Sequence, residues 1–273
     1  MNKKSEIVIS IGLVIAGLMF VLPLFWLLLN SFKTNTEILW NSFAWPIEFR
    51  WGNYAMAIER FRILTYFRNS IIITTTDIVI TIALSLLMGY ACAKMKWRFS
   101  KAVYMFVLAG YFIPAMVTFV ATYQVISALN LLNNFFGLIL PYSARNMVLG
   151  TLLFYAFIRA IPSDLEESAV LDGCTIFGVL KNIIVPLTKP VMATVAITAF
   201  INSWTEFLLA SIVIRNADLM PISIGFLTFS DRFGTEYAIL FAAMIITIIF
   251  PLTVFIIANK NIQNVFAAGI SLK

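Results

Sequence analysis

The sequence predicts an all-α, polytopic membrane protein with six transmembrane helices and a cytoplasmic coupling helix between the fourth and fifth. Three observations carry this. Of 273 residues, 61% are apolar and 15% aromatic while 12% are charged, against roughly half apolar and a quarter charged in soluble domains. The apolar residues fall in runs of about 20 or more, the length a helix needs to cross a bilayer. Those runs are long and continuous, which favours helices over closed barrels, the two structures whose backbone polar groups are satisfied in lipid.

The first run, Ile7 to Leu29, follows Met1-Asn2-Lys3-Lys4. It exceeds the roughly 7–15 apolar residues of a signal peptide and has no cleavage site, so it reads as a retained span. The spans are expected near residues 7–32, 69–93, 102–127, 137–159, 190–214 and 238–259, in a single transmembrane domain covering 1–273 with a cytoplasmic loop at 160–189. Six spans leave both termini on one side. Lys3, Lys4, Lys94, Lys96, Arg98, Lys101, Arg159, Lys181, Lys189, Lys260 and Lys273 share that side, which the positive-inside rule makes the cytoplasm. Lys33, Arg50, Arg60, Arg62, Arg68, Arg215 and Arg232 on the other side weaken the bias without reversing it.

Composition also excludes. The net charge of +6 is explained by lysines and arginines beside the membrane, with no need for nucleic acid. There is no histidine, and Cys92 and Cys174 both fall on the cytoplasmic side, so neither a zinc site nor a disulfide framework is written here. The glycine-rich phosphate loop of nucleotide-binding proteins is absent, and no cluster of catalytic residues is evident.

The loop after the first span holds Trp40, Trp45-Pro46, Trp51-Gly52-Asn53-Tyr54 and Phe61. Tryptophan and tyrosine at this depth serve as interface anchors or as contacts for an external partner, and Trp45-Pro46 signals a turn. In the third span Pro114, with Gly110 nearby, predicts a kink, either structural or a gating hinge; Pro141 in the fourth reads the same way.

Between spans four and five, Ser163 followed three residues later by Glu166 has the spacing of a capping box, and Asp164, Glu166 and Glu167 lie where a helix dipole favours negative charge. A helix is expected from about 164. Gly173 ends it by turning left-handed, and a second short helix from Cys174 to Val185 ends at Pro186. Taken alone, these signals also suit an ordinary polar connector.

Glu167-Ser168-Ala169, Asp172-Gly173, Ile183, Pro186-Leu187 and Pro190 together resemble the E-A-A…D-G…I-x-L-P loop of ABC importer permease subunits. Trp204-Thr205-Glu206-Phe207-Leu208 is similar to the W-N-x-F-L segment of carbohydrate-importer permeases of the MalG type, and Asn53-Tyr54 sits where those proteins have an N-Y pair. Ser168 for Ala, Thr205 for Asn, Val185 for Leu and Ala210-Ser211 for Trp-Pro depart from the family pattern.

The resemblance implies a membrane subunit of a binding-protein-dependent importer, without covalent chemistry, metal or cofactor of its own. ATP and Mg would be bound by a cytoplasmic ATPase dimer. Further implied partners are a second homologous permease subunit, an extracytoplasmic solute-binding protein and a sugar. It also implies that Glu166, Glu167, Ser168, Ala169, Leu171, Asp172 and Gly173 dock the ATPase, with Glu167 near a basic group, Ala169 and Leu171 packed in its cleft, and Gly173 turning the chain. The tail from Val265 to Lys273 resembles the family's C-terminus, which can also reach the ATPase.

Three ionisable residues fall inside spans: Asp77, Arg145 and Glu206. Such groups are costly in lipid unless paired or hydrated. Each lies at a similar expected depth, which predicts that Arg145 pairs with Glu206 or Asp77 in the outer half of a translocation path. Tyr123, Gln124, Tyr142, Asn146, Asn202 and Trp204 join them as substrate-path candidates, since sugar sites combine aromatic faces with hydroxyl partners. The competing expectation is an ion-coupled secondary transporter in which Asp77 and Glu206 carry protons or sodium; it calls for inverted repeats, and none is evident.

Overall fold

The computed structural model describes residues 3–95, 97–231 and 234–271, with side chains described from 9 to 95, 97 to 229 and 235 to 256. In chain order the helices are α1 (Lys3–Asn30), α2 (Asn35–Asn41), α3 (Gly52–Glu59), α4 (Ile63–Ala93), α5 (Ser100–Tyr111), α6 (Ala115–Ala128), α7 (Phe136–Arg159) and α8 (Ser163–Leu171). There follow α9 (Ile176–Val179), a π turn at Leu180–Ile184, α10 (Val185–Leu187), α11 (Lys189–Trp204), α12 (Leu208–Val213), α13 (Ile222–Gly225) and α14 (Tyr237–Ser271). Ser230–Asp231 pairs antiparallel with Gly234–Thr235.

Ile9–Asn30, Ile63–Ala93 and Tyr237–Ile256 are each long and apolar enough to cross a membrane. Three further candidates are bent pairs: α5 with α6 at 106°, α7 with α8 at 77°, and Ile176–Leu187 with α11 at 73°.

Several boundaries differ from expectation. Span three is broken rather than kinked: α5 stops at Tyr111 and α6 restarts after Pro114. Proline disfavours helical geometry at Ile113 and clashes with the turn before it, and no described side chain caps the break. The expected span at 190–214 is also interrupted, at 205–207, leaving Glu206 between α11 and α12. Pro141, by contrast, is absorbed within α7. The first helix ends at Asn30 rather than 32, the second begins at Ile63 rather than 69, and α14 continues to Ser271. The side chains of the tail from Val265 lie outside the described residues, as do those of Lys3, Lys4, Lys96, Arg232, Lys260 and Lys273.

Contacts divide the chain into two units, residues 1–64 with 225–252 and residues 65–224 with 253–273. In the first, the aromatic loop is folded against the end of α1. Asn53 donates from Nδ2 to the carbonyls of Ser31 at 2.8 Å and Lys33 at 2.9 Å, and the Tyr54 and Ser31 hydroxyls are 2.7 Å apart. The Asn53-Tyr54 pair is therefore a staple. Phe32 packs edge-on against Phe49 and Trp51. Thr34 and Glu37 form a reciprocal capping box on α2. Lys33 is fully buried and donates from Nζ to Ser42 O at 2.9 Å and Asn41 O at 3.3 Å, capping the far end of that helix. Burial lowers the Lys33 pKa from its ordinary value, opposed by the nearby Glu37 carboxylate.

The second unit is layered. One apolar cluster joins Ile73 of α4, Leu138, Ile139 and Tyr142 of α7, and Leu209 and Val213 of α12. Another joins Leu86 and Tyr90 of α4, Phe154 and Ile158 of α7, and Val179, Ile184, Val191 and Val195. Close approach of α4 and α7 depends on glycine: a methyl at Gly150 would fall 2.9 Å from Ser85 Cβ, and one at Gly89 would fall 2.7 Å from Phe154 Cβ. Between the two apolar layers, on the same helices, sits a polar one.

Candidate functional site: a buried carboxylate beside an intramembrane cleft

Asp77 is fully buried at the middle of α4. Its Oδ1 accepts from Thr81 Oγ1 at 3.0 Å and Ser143 Oγ at 2.8 Å, and its Oδ2 accepts from Asn146 Nδ2 at 2.9 Å and from Ser203 Oγ. Four donors fill the acceptor sites of an ionised carboxylate, so hydroxyl and amide dipoles replace a counter-ion. Asn146 also contacts Ser203 Oγ at 3.3 Å and accepts from Asn202 Nδ2 at 2.9 Å. The cluster ties α4, α7 and α11 together.

A cleft of about 1050 Å³ lies alongside, walled by α5, α6, α7 and α11. Its lining is mainly apolar, with polar groups from Tyr111, Thr118, Thr122, Tyr142, Arg145, Asn146, Thr198, Asn202 and Glu206. Glu206 occupies the break before α12. It accepts from Tyr142 Oη at 2.6 Å and from the backbone N–H groups of Leu209 at 2.8 Å and Ala210 at 3.1 Å, and so caps that helix.

The expected ion pair is not formed. Arg145 is exposed on the cleft wall and makes no salt bridge among the described residues, while Asp77 and Glu206 are held by neutral donors. Of the nine substrate-path candidates, Tyr142, Arg145, Asn146, Asn202 and Glu206 line the cleft. Asp77 lies behind it. Tyr123 packs against the apolar cluster of α6, α7 and α12, Gln124 is exposed away from the cleft wall, and Trp204 is buried between Phe67 and Phe200. The cleft residues overlooked from the sequence are Tyr111, Thr118, Thr122 and Thr198; hydroxyls four apart at 118 and 122 in an apolar run are the signal that marks one face of α6.

The second site is the loop that follows α7. The capping box is absent: Pro162 occupies the cap position, Ser163 starts α8, and neither Ser163 nor Glu166 caps it. Glu166 instead turns inward. Lys94 Nζ lies 2.9 Å from Glu166 Oε1 and donates to Ile161 O at 2.6 Å, while Tyr90 Oη donates to Glu166 Oε2 at 3.2 Å. The Lys94 contact is ionic, its aligned hydrogen bond going to the Ile161 carbonyl. Both side chains are nearly buried, 11% and 14% exposed.

At the other end of α8, Gly173 has φ +86, with Gly173 N bonded to Val170 O and Cys174 N to Ala169 O. Those two bonds make a Schellman cap, whose left-handed residue favours glycine. The following helix starts at Ile176, capped by Thr175, and passes through Pro186 by way of the π turn rather than ending there. A proline lacks the N–H that an α turn needs, and the π turn before it accommodates the loss.

Ala169 packs inward against the apolar cluster below Phe154, so it faces the protein, as Glu166 does. Leu165, Val170, Leu171 (88% exposed), Ile176 and Phe177 are exposed around the end of α8 and the start of α9, as are Asp164, Glu167 and Asp172. Val170, Ile176 and Phe177 were not among the expected docking residues; the end of α8 and start of α9 bring Val170 and Ile176 together with Leu171.

Comparison with known proteins gives a consistent result. Residues 81–267 match the family described as binding-protein-dependent transport system inner membrane component. The chain is similar to the sulfoquinovosyl glycerol transport system permease protein SmoH of Agrobacterium fabrum, 30% identical over 90% of this chain and 87% of that one. It is also similar to the arabinooligosaccharides transport system permease protein AraQ of Halalkalibacterium halodurans, 29% identical over 100% and 98% of the two. Among solved structures, a chain of a bacterial ABC transporter involved in import of the acidic polysaccharide alginate superposes with a TM-score of 0.81 at 20% identity, covering 95% and 98%.

Proposed function

Because the chain belongs to the family of binding-protein-dependent transport system inner membrane components, we propose that it is a permease subunit of an ATP-driven ABC importer for a carbohydrate. It forms half of the translocation path; a second homologous permease supplies the other half, and an extracytoplasmic binding protein delivers the sugar. A cytoplasmic ATPase dimer binds ATP and Mg, so this subunit has no ATPase site of its own. Both termini are cytoplasmic in a multi-pass arrangement in the cell membrane.

The observation that carries the reading is the apolar crown at α8 and α9. Leu171, 88% exposed, stands at the end of α8, which the Glu166–Lys94 contact fastens from behind, and Phe177, 71% exposed, stands on the adjoining α9. A rigid helix presenting apolar anchors within an acidic rim suits a cleft on a soluble partner. The family relationship and the names of the relatives support the carbohydrate. In the cleft, Asn202 and Arg145 offer polar contacts to a sugar, with Tyr111 as an aromatic face.

In such a machine, closure of the ATPase dimer moves α8, and the Lys94–Glu166–Tyr90 contact passes that movement into α4 and so toward the Asp77 layer. The ion-coupled alternative asks Asp77 and Glu206 to exchange cations, yet both are already held by neutral donors.

The test is affinity purification of the tagged chain from its native cell, comparing wild type with Glu167→Lys combined with Gly173→Pro. Co-purification of an ATPase and a second permease with wild type, and loss of the ATPase from the variant, is the expected result. A chain that purifies alone and transports on an ion gradient contradicts it.

A further inference from the structure

We infer that Asp77 is a positioning residue for the cleft: it fixes the side-chain amide of Asn146, and through it turns Asn202 so that its Oδ1 is offered as an acceptor to a substrate hydroxyl. The inference deepens the carbohydrate reading and rests on it.

The argument is one of hydrogen-bond polarity. An ionised carboxylate only accepts. Asp77 is fully buried and accepts from all four of the side chains it meets, as an ionised carboxylate does. Asn146 meets it 2.9 Å away and must therefore present its NH2. The remaining N–H contact of Asn146 is to Ser203 Oγ at 3.3 Å, and the proton of that hydroxyl is itself committed to Asp77. With both N–H groups directed toward Asp77 and Ser203, Asn146 Oδ1 points the opposite way.

An acceptor there demands a donor, and Asn202 Nδ2 supplies it at 2.9 Å. Asn202 is thereby locked with its NH2 toward Asn146, and no described residue donates to its Oδ1. Asn146 and Asn202 line the cleft and Asp77 does not. A group that substrate never reaches thus sets which way round the Asn202 amide stands in the wall. An acceptor suits a hydroxyl-bearing ligand.

The test uses the whole importer, purified with its partners and reconstituted in liposomes, with uptake of tritiated arabinotriose, sulfoquinovosyl glycerol and an alginate trisaccharide as the three probes. Asn202→Ala should raise KM about five- to tenfold, the worth of one hydrogen bond. Asp77→Asn can face Asn146 with either end, so Asn202 is competent about half the time and KM should rise about twofold or more. Exchanging the pair, Asp77→Asn with Asn146→Asp, moves the obligate acceptor to 146, again demands the Asn202 NH2, and should restore the wild-type KM. In the Asn202→Ala background Asp77→Asn should change KM no further.

Side-chain amide NMR of the 15N-asparagine-labelled complex gives a readout without substrate. Wild type and the exchanged pair should share one Asn202 signal that Asp77→Asn shifts or splits. If Asn202→Ala leaves KM unchanged for every probe while the amide signals behave as expected, the positioning stands and the substrate contact in this cleft is wrong. Additive effects of Asp77→Asn and Asn202→Ala, an unmoved Asn202 signal, or failure of both the single and exchanged variants to assemble would reduce Asp77 to a structural tether and overturn the inference.

Discussion

The Asp77 layer and the α8 loop hold carboxylates in opposite ways. At the middle of α4, Asp77 is held by hydroxyl and amide dipoles drawn from three helices, with no cation in contact among the described residues. At the base of the same α4 helix, Glu166 is held by a lysine that keeps a tenth of its surface in water. The difference follows from dielectric. Taking a cation and an anion together out of water costs more than their attraction returns unless geometry is ideal, whereas preorganised dipoles add no second charge to desolvate. Near water the desolvation cost is smaller, so an ion pair serves and can be remade as the loop moves.

The largest effect is expected where the dipoles lose their acceptor. Asp77→Leu leaves donors of Ser143, Asn146 and Ser203 buried without it, and should lower stability by about 3 kcal/mol. Thermal unfolding of the reconstituted complex reads this, and the loss should not vary with salt. A stability loss that salt reverses would erase the contrast between the two regions.

Lys94→Ala comes next. It strands Glu166 beside Tyr90, and because both ionic groups keep some exposure the cost is below the roughly 3–5 kcal/mol of a fully buried pair, about 2 kcal/mol. The effect should shrink in high salt, and ATP hydrolysis should become less dependent on the binding protein as α8 loosens from α4. Gly173→Ala places a methyl in left-handed backbone at φ +86 and should cost about 1 kcal/mol, confined to the loop and visible as faster hydrogen exchange over 168–176.

The smallest change in stability should come from Leu171→Asp. Leu171 is 88% exposed and touches little of its own chain, so the melting temperature should stay within about a degree while co-purification of the ATPase is lost. A stable variant that still binds the ATPase would move the docking surface away from the crown.

Much of this was legible in the sequence. Apolar run length pointed to the three unbroken helices of membrane length, and Gly173 announced its turn because few residues other than glycine tolerate that backbone. The pairing of intramembrane charges was not legible. The donors to Asp77 from Ser143, Asn146 and Ser203 lie 66, 69 and 126 residues away, and hydroxyls and amides carry no charge to flag them. Arg145 looked like the natural partner on charge alone.

The same blindness hid the role of Glu166, whose spacing from Ser163 suited a capping box. Tyr90 and Lys94, supplied by tertiary structure, won it instead. At Pro114 the sequence showed a kink, but the size of the break, with the two halves 106° apart, depends on what packs around it.

The most direct test of the account is uptake by the reconstituted complex in liposomes without any ion gradient, with and without ATP, Mg and the binding protein. The account predicts that uptake requires all three and disappears in Leu171→Asp. Uptake by this chain without ATP, driven by a proton or sodium gradient and lost in Asp77→Asn, would contradict it.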